Sequence, residues 1–83
     1  MKLLYFAWLR ERIGRAEDEL DPPGSVATAG ELLDWLKERG PEYEYALSEP
    51  RAIRVAIDHL HAGPETPIVG AREIALFPPM TGG

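Results

Sequence analysis

Residues Leu3-Leu4-Tyr5-Phe6-Ala7-Trp8-Leu9 form an uninterrupted apolar run, closed by the charged Arg10-Glu11-Arg12. A run of that kind reads as a central strand, because both of its faces must meet something apolar. That is a severe demand on a chain of 83 residues, since a domain of this size buries only about 60% of the surface its unfolded chain exposes. One small domain follows, too shallow for a deep internal active site. Its 45% hydrophobic and 28% charged residues give the balance of a globular chain, not a disordered one.

The rest of the chain supplies what must cover that strand. Gly14 marks a turn, and Arg15 to Asp21 sets Ala16 and Leu20 among Glu17, Asp18, Glu19 and Asp21, as in a partly exposed second strand. After the loop Pro22-Pro23-Gly24-Ser25, the series Thr28-Ala29-Gly30-Glu31 matches a capping box, in which hydroxyl and carboxylate satisfy the free amides of a helix start. The helix runs to about Arg39 with Leu32, Leu33, Trp35 and Leu36 on one face, and Gly40-Pro41 stops it. Trp35 reads as a core anchor. Pro41 to Pro50 supports only a short helical turn. Arg51 to Asp58 alternates, with Ile53, Val55 and Ile57 on one face and Arg54, Ala56 and Asp58 on the other. Glu73 to Phe77 is the last strand, ended by Pro78-Pro79. The order predicts an α+β fold, a mixed sheet of about four strands with one main helix across one face, which is the β-grasp arrangement of ubiquitin. Residues 1–77 form that domain, and residues 78–83 are expected to be a flexible tail.

Composition removes several classes of function. A net charge of −5 with a pI near 4.9 repels nucleic acid and anionic membranes, and suits a protein partner with a basic rim. No run approaches the roughly 18 apolar residues of a membrane span, and the aromatic start is too short for a signal peptide, so a cytoplasmic protein is expected. The absence of cysteine rules out disulfides, thiolate metal sites and a cysteine nucleophile. His59 and His61 would share a side if a strand continued through them, but no third ligand stands nearby in sequence, and no metal is expected. Glu17, Asp18 and Glu19 alternate faces, as on a solvated edge that discourages strand aggregation, and do not form a carboxylate pair for catalysis.

The last six residues, Pro78-Pro79-Met80-Thr81-Gly82-Gly83, carry the most chemistry. A chain ends in Gly-Gly by chance about once in 200, so the dipeptide alone says little. Its place says more. Two prolines directly after an apolar strand favour an extended path away from the domain. Two glycines then offer a backbone without Cβ that can enter a narrow channel and approach a reactive group closely.

Three stretches, Leu4-Tyr5-Phe6-Ala7-Trp8-Leu9-Arg10-Glu11, Val55-Ala56-Ile57-Asp58, and Glu73 through Gly83, resemble the small, sulfur-carrying subunit of molybdopterin synthase, the MoaD family. Two departures are Asp58, where the family often has Asn, and Ala71-Arg72, where it often has Gly-Asp. They bear on loop geometry. The resemblance implies a sulfur carrier that binds no cofactor and is not an enzyme alone. An E1-like enzyme would use ATP to adenylate the Gly83 carboxylate, and a sulfur donor would convert it to a thiocarboxylate. The large synthase subunit, in a heterotetramer of two small and two large chains, would then use this sulfur on a cyclic pterin precursor. Gly82 and Gly83 would be the working groups, and Pro78, Pro79, Met80 and Thr81 would position them. Strand alternation sends Leu4, Phe6, Ala75 and Phe77 to the face away from the helix, so Phe6 and Phe77, with Arg10 at the rim, are expected to meet the partner unless the Pro41 to Pro50 segment covers them. Other readings remain open at this point: sulfur delivery to thiamine or to tRNA, a ubiquitin-like modifier, or a non-catalytic β-grasp interaction module.

Overall fold

The first and last strands pair side by side in the middle of a single sheet. In the computed structural model, which describes residues 1–79, the elements in chain order are β1 (Lys2–Tyr5), α1 (Ala7–Ile13), β2 (Glu17–Glu19), α2 (Ala29–Lys37), α3 (Pro41–Ala46), a 3-10 turn (Pro50–Ala52), β3 (Arg54–Ile57), β4 (Leu60–Ala62) and β5 (Glu73–Phe77). The sheet order is β2-β1-β5-β3-β4, with β1 and β5 parallel and every other pair antiparallel. Five strands stand where the sequence suggested four.

Alternation decides what each strand buries. Leu3 and Tyr5 of β1, Ile74 and Leu76 of β5, and Ile53 and Val55 at β3 point to one side and are buried. Ala29, Leu32, Leu33 and Leu36 of α2 join them in the core, at the spacing of one helical face. The capping box is present, with Glu31 N donating to Thr28 Oγ1 at 3.2 Å and Thr28 N donating to the Glu31 carboxylate at 3.1 Å. Such a cap stabilises a helix start by about 1 kcal/mol. Trp35, expected as a core anchor, is only half-buried; it borders the core, and the Arg39 guanidinium lies 5.9 Å from its ring.

The apolar run does not continue as one strand. Ala7 takes a φ of 54°, a left-handed conformation that turns the chain out of the sheet after Phe6, and residues from Ala7 to Ile13 wind into α1. Leu9 and Ile13, four apart, supply its buried stripe. Gly14, at φ 89°, closes it by donating its amide to Arg10 O. Arg10-Glu11-Arg12 is therefore the exposed part of a helix and not the end of a strand. Pro41 to Pro50 is also more ordered than expected. It forms α3, whose Tyr43 and Ala46 are buried, and α3 packs on α1 and α2 on the helix side of the sheet.

The second strand is a further correction, since its inward residue is an acid. Ala16 is exposed and Leu20 half-buried, whereas Asp18 is 8% exposed. Its Oδ2 accepts from Tyr5 Oη at 2.9 Å and Tyr43 Oη at 2.7 Å, and its Oδ1 accepts from Arg15 Nη1 at 2.7 Å. Glu17 and Glu19 flank it on the solvated edge, as expected. Burial alone would raise the Asp18 pKa, but the bonds from Tyr43, Arg15 and Tyr5 outweigh it and hold the carboxyl below its ordinary value. Burial first, and then the bond to Asp18, raise both phenols, so they stay protonated donors at neutral pH.

This node ties the β2 edge to β1 and α3, and it sets a prediction. Asp18→Ala leaves two buried hydroxyls without an acceptor and lowers stability by about 3 kcal/mol in denaturant melts at pH 7. A carboxyl whose folded pKa is depressed contributes stability above its unfolded pKa of about 3.9 and loses it as pH falls through the folded value. Wild type therefore loses stability below about pH 4, and the variant loses less over the same range. Parallel acid profiles for the two would remove Asp18 from this role.

Candidate functional site

The face of the sheet turned away from the helices collects the residues that alternation sends outward. Lys2 and Leu4 of β1, Glu73, Ala75 and Phe77 of β5, Arg54 and Ala56 of β3, and His61 of β4 lie between the buried positions. Register aligns Leu4 with Ala75, Ala75 with Ala56, and Ala56 with His61, so one row across four strands is apolar but for its last member. Phe77 pairs with Arg54 in the next row.

Phe6 extends that row. Tyr5 pairs with Leu76, Phe6 N donates to Leu76 O at 3.1 Å, and Phe6 keeps an extended backbone, φ −120° and ψ 155°. Phe6 and Phe77 thus both follow the inward pair Tyr5–Leu76 and fall on the outer face. Phe6 is 45% exposed. Phe77 is half-buried, its ring meeting His61 edge-on at 5.6 Å between centroids. Because α3 packs on the opposite side, it leaves this face open. Pro78 and Pro79 are half-buried directly beyond Phe77. Met80, Thr81, Gly82 and Gly83 lie outside the described residues.

Arg10 sits on the exposed side of α1, two residues from both Trp8 and Arg12 and so on the far flank of the helix. Arg12 faces α3, its guanidinium 4.5 Å from the rings of Trp8 and Tyr45. Among the described residues Arg10 makes no ion pair.

Asp58 does not belong to the outward row. It occupies a two-residue turn with His59, at φ 48° and 74°, and that turn starts the β3–β4 hairpin. Its Oδ1 accepts from the amides of Arg72 and Glu73 at 3.0 and 2.9 Å, and its own amide donates to Glu73 O at 2.8 Å. The two departures noted in the sequence, at Asp58 and at Ala71-Arg72, therefore meet in one hydrogen-bonded corner. An acid tolerates the left-handed turn and caps the loop before β5, as Asn would. The same hairpin separates the histidines, leaving His59 in the turn and His61 on β4. Residues His59–His61 show why β4 was missed, since this turn has neither Gly nor Asn to announce it.

A groove of about 740 Å³ between the start of α2 and strands β3 and β4 is lined by Thr28, Leu33, Ile53, Arg54, Val55 and Pro64, and holds none of Phe6, Arg10, Phe77, Pro78 and Pro79. Among the described residues no group of three His, Cys, Asp or Glu could hold a metal ion, and no helix is long and apolar enough to cross a membrane.

A sheet with parallel first and last strands at its centre, and a helix across one face, is the β-grasp class. Residues 3–83 match the model of the ThiS family, and the chain belongs to that family. The molybdopterin synthase sulfur carrier subunit of Haemophilus influenzae is 34% identical over 83 residues, spanning 100% of this chain and 99% of that one. SAMP1 from Haloferax volcanii has a crystal structure that superposes with a TM-score of 0.77 at 31% identity, over 100% of this chain and 98% of that one. A Pyrococcus furiosus chain assigned as molybdopterin converting factor subunit 1 gives a TM-score of 0.77 at 22% identity over 94% of each chain, a likeness of fold. The resemblance read from the sequence is borne out.

Neighbouring residues on β5 test the assignment of faces. Leu76→Ala removes a fully buried side chain and costs about 2–5 kcal/mol in thermal or urea unfolding. Phe77→Ala, on the outer face, costs about 1 kcal/mol or less. Similar losses for both would place Phe77 in the core.

Proposed function

We propose that the chain is a sulfur carrier whose working group is the carboxylate of Gly83, and that the outer sheet face is where it docks on the large subunit of molybdopterin synthase. The observation that carries the reading is the meeting of two features at the end of β5: a face on which the half-buried Phe77 lies beside the exposed Phe6, and the point at which the strand gives way to Pro78 and Pro79. The naming of the 34% identical relative supports it independently.

A carboxylate resists substitution because oxide is a poor leaving group. An E1-like enzyme therefore first attaches AMP from ATP, with loss of pyrophosphate. A donor's persulfide sulfur then displaces AMP to give an acyl disulfide. A second thiol on the activating enzyme or the donor cleaves its S–S bond, ending in a disulfide itself and releasing a thiocarboxylate on Gly83, a nucleophile built in a chain with no thiol of its own. The large subunit holds the cyclic pterin precursor and supplies most of the active site, in a heterotetramer of two small and two large chains. In this arrangement the carrier is a cosubstrate, comparable with a covalent group carrier. ATP and sulfur visit the tail, and no cofactor resides in the domain.

Each part of the chain has a task in this scheme. Pro78 and Pro79 hold the tail extended, Met80 and Thr81 span the approach, and Gly82 and Gly83 pass through a channel too narrow for a Cβ. Phe6 and Phe77 anchor the domain on the partner, and Arg10 adds a rim contact through a bidentate guanidinium. Delivery to thiamine or tRNA, or attachment to lysines, would begin with the same activation and differ in the acceptor.

Two sets of variants test this. Adding one uncleavable residue after Gly83 abolishes sulfur transfer in a reconstituted assay while the melting temperature holds, and Gly82→Val is severely impaired because a β-branched side chain widens and stiffens the tail. Full transfer by the extended variant would refute the mechanism. Phe77→Ala weakens binding to the large subunit by about 2 kcal/mol or more in calorimetry, and unchanged affinity would remove it from the interface.

A further inference from the structure

Charges on the outer sheet face are distributed unevenly along the strands. At the end where β5 begins, Lys2, Glu73 and Asp58 each have a polar neighbour within the domain. Lys2 Nζ lies 3.7 Å from the Glu17 carboxylate, His59 Nε2 lies 3.8 Å from that of Glu73, and the Asp58 carboxylate accepts two backbone amides. In the middle, Leu4, Ala75 and Ala56 form an uncharged stretch between Glu17 on β2 and His61 on β4. At the end where β5 runs out stands Arg54, exposed and paired in register with Phe77. Among the described residues it makes no ion pair.

This arginine is paired with β5 alone, since the ladder to β4 begins at Val55, and it also borders the groove beside α2. It opens β3, an interior strand between β5 and β4. One of its nitrogens, Nη1, donates to Arg51 O at 3.2 Å across the 3-10 turn, which fixes one side of the guanidinium. That bond leaves most of its five N–H donors to be satisfied from outside the domain. On the same flank of Phe77 the His61 ring packs edge-on. Arg54 thus stands within an apolar, aromatic row, and it is a cation on the working face of a chain whose net charge is −5. An acidic protein gains little from a generic positive patch. A single guanidinium held beside an aromatic anchor suits one carboxylate, received in the planar two-bond geometry that arginine offers and lysine does not.

We propose that Arg54 is a specificity-determining residue of the docking surface, and that it receives a carboxylate of the large subunit as Phe77 is covered. The proposal rests on the docking reading above and adds a residue to it. Covering Phe77 excludes water from the neighbouring guanidinium, so the pair forms in a drier setting than a surface ion pair and the interaction is correspondingly stronger. It also selects the partner: a surface that offered a cation or only apolar groups at this point would leave the guanidinium buried and unpaired.

The test measures affinity of the full chain for the large subunit of the same organism by calorimetry at low and high salt, using wild type, Arg54→Lys, Arg54→Ala, Arg54→Glu and Phe77→Ala. Thermal melts of each chain alone accompany the titrations. Arg54→Ala is expected to weaken binding roughly tenfold or more and to flatten its salt dependence, and Arg54→Glu to weaken it further. Arg54→Lys recovers only part of the loss, because an ammonium cannot make the bidentate pair. All Arg54 variants keep the wild-type melting temperature within a few degrees. If Phe77→Ala weakens binding while Arg54→Ala and Arg54→Glu bind within about twofold of wild type, on a scale where tenfold is about 1.4 kcal/mol, the role of Arg54 is overturned and the docking face stands. If wild type binds and neither Phe77 nor Arg54 matters, the docking face itself is wrong. Full recovery by Arg54→Lys would reduce the contact to an unspecific charge and overturn the carboxylate pairing.

Discussion

Parallel pairing of β1 with β5 is the contact on which the rest of the architecture depends. It brings the first and last strands to the centre of the sheet, where Leu3, Tyr5, Ile74 and Leu76 supply buried side chains on one side. Parallel neighbours cannot be joined by a tight turn, and the whole domain between them acts as the connection. The same pairing fixes direction: both central strands end at one edge of the domain. There β1 gives way to α1 through the left-handed Ala7, and β5 gives way to Pro78 and Pro79. A chain that continues from β5 must therefore leave beside Phe6 and Phe77, whichever partner it serves.

Coverage of one face follows from the same geometry. Three helices crowd the inner side of the sheet, where the buried Asp18 accepts from Tyr5, Tyr43 and Arg15 and holds the short β2 edge in place. Buried carboxylates are costly unless they are paired and hydrogen-bonded, and here two phenols and a guanidinium supply three bonds. Nothing among the described residues packs over the outer side. Its apolar middle and its aromatic end are the kind of surface that a monomer seldom exposes without a partner. Division of labour between the two faces is what the proposed carrier needs, with stability on the inside and docking next to the tail.

Much of this was legible in the sequence because single residues carry unambiguous local signals. Thr28 and Glu31 announced the helix start, Gly40-Pro41 its end, and alternation at Ile53, Val55 and Ile57 oriented β3. Glu73 to Phe77 was bounded correctly since two prolines cannot continue a central strand. What failed did so where a pattern admits two periods. Leu3 to Leu9 is apolar at every position, so the run itself could not show that the period changes from 2 to 3.6 at Ala7; Leu9 and Ile13, four apart and followed by Gly14, held that information. Asp18 was misread because a buried acid is defined by Tyr5, Arg15 and Tyr43, and Tyr43 lies 25 positions away. β4 was missed because the Asp58-His59 turn holds neither Gly nor Asn, and its carboxylate is engaged by the amides of Arg72 and Glu73, far off in sequence. Phe6 and Phe77 came from alternation alone, while Arg54 gained meaning only once register set it against Phe77.

The most direct measurement of the central claim is the intact mass of the chain isolated from its own cell, taken before and after treatment with an alkylating agent. The account predicts a population heavier by the exchange of one oxygen for sulfur that gains the alkyl group, in a protein with no cysteine to compete, and fragment masses that place the change on Gly83. A chain found only at its unmodified mass in cells actively making the cofactor, or a heavier species that resists alkylation and maps to a methionine, would contradict it.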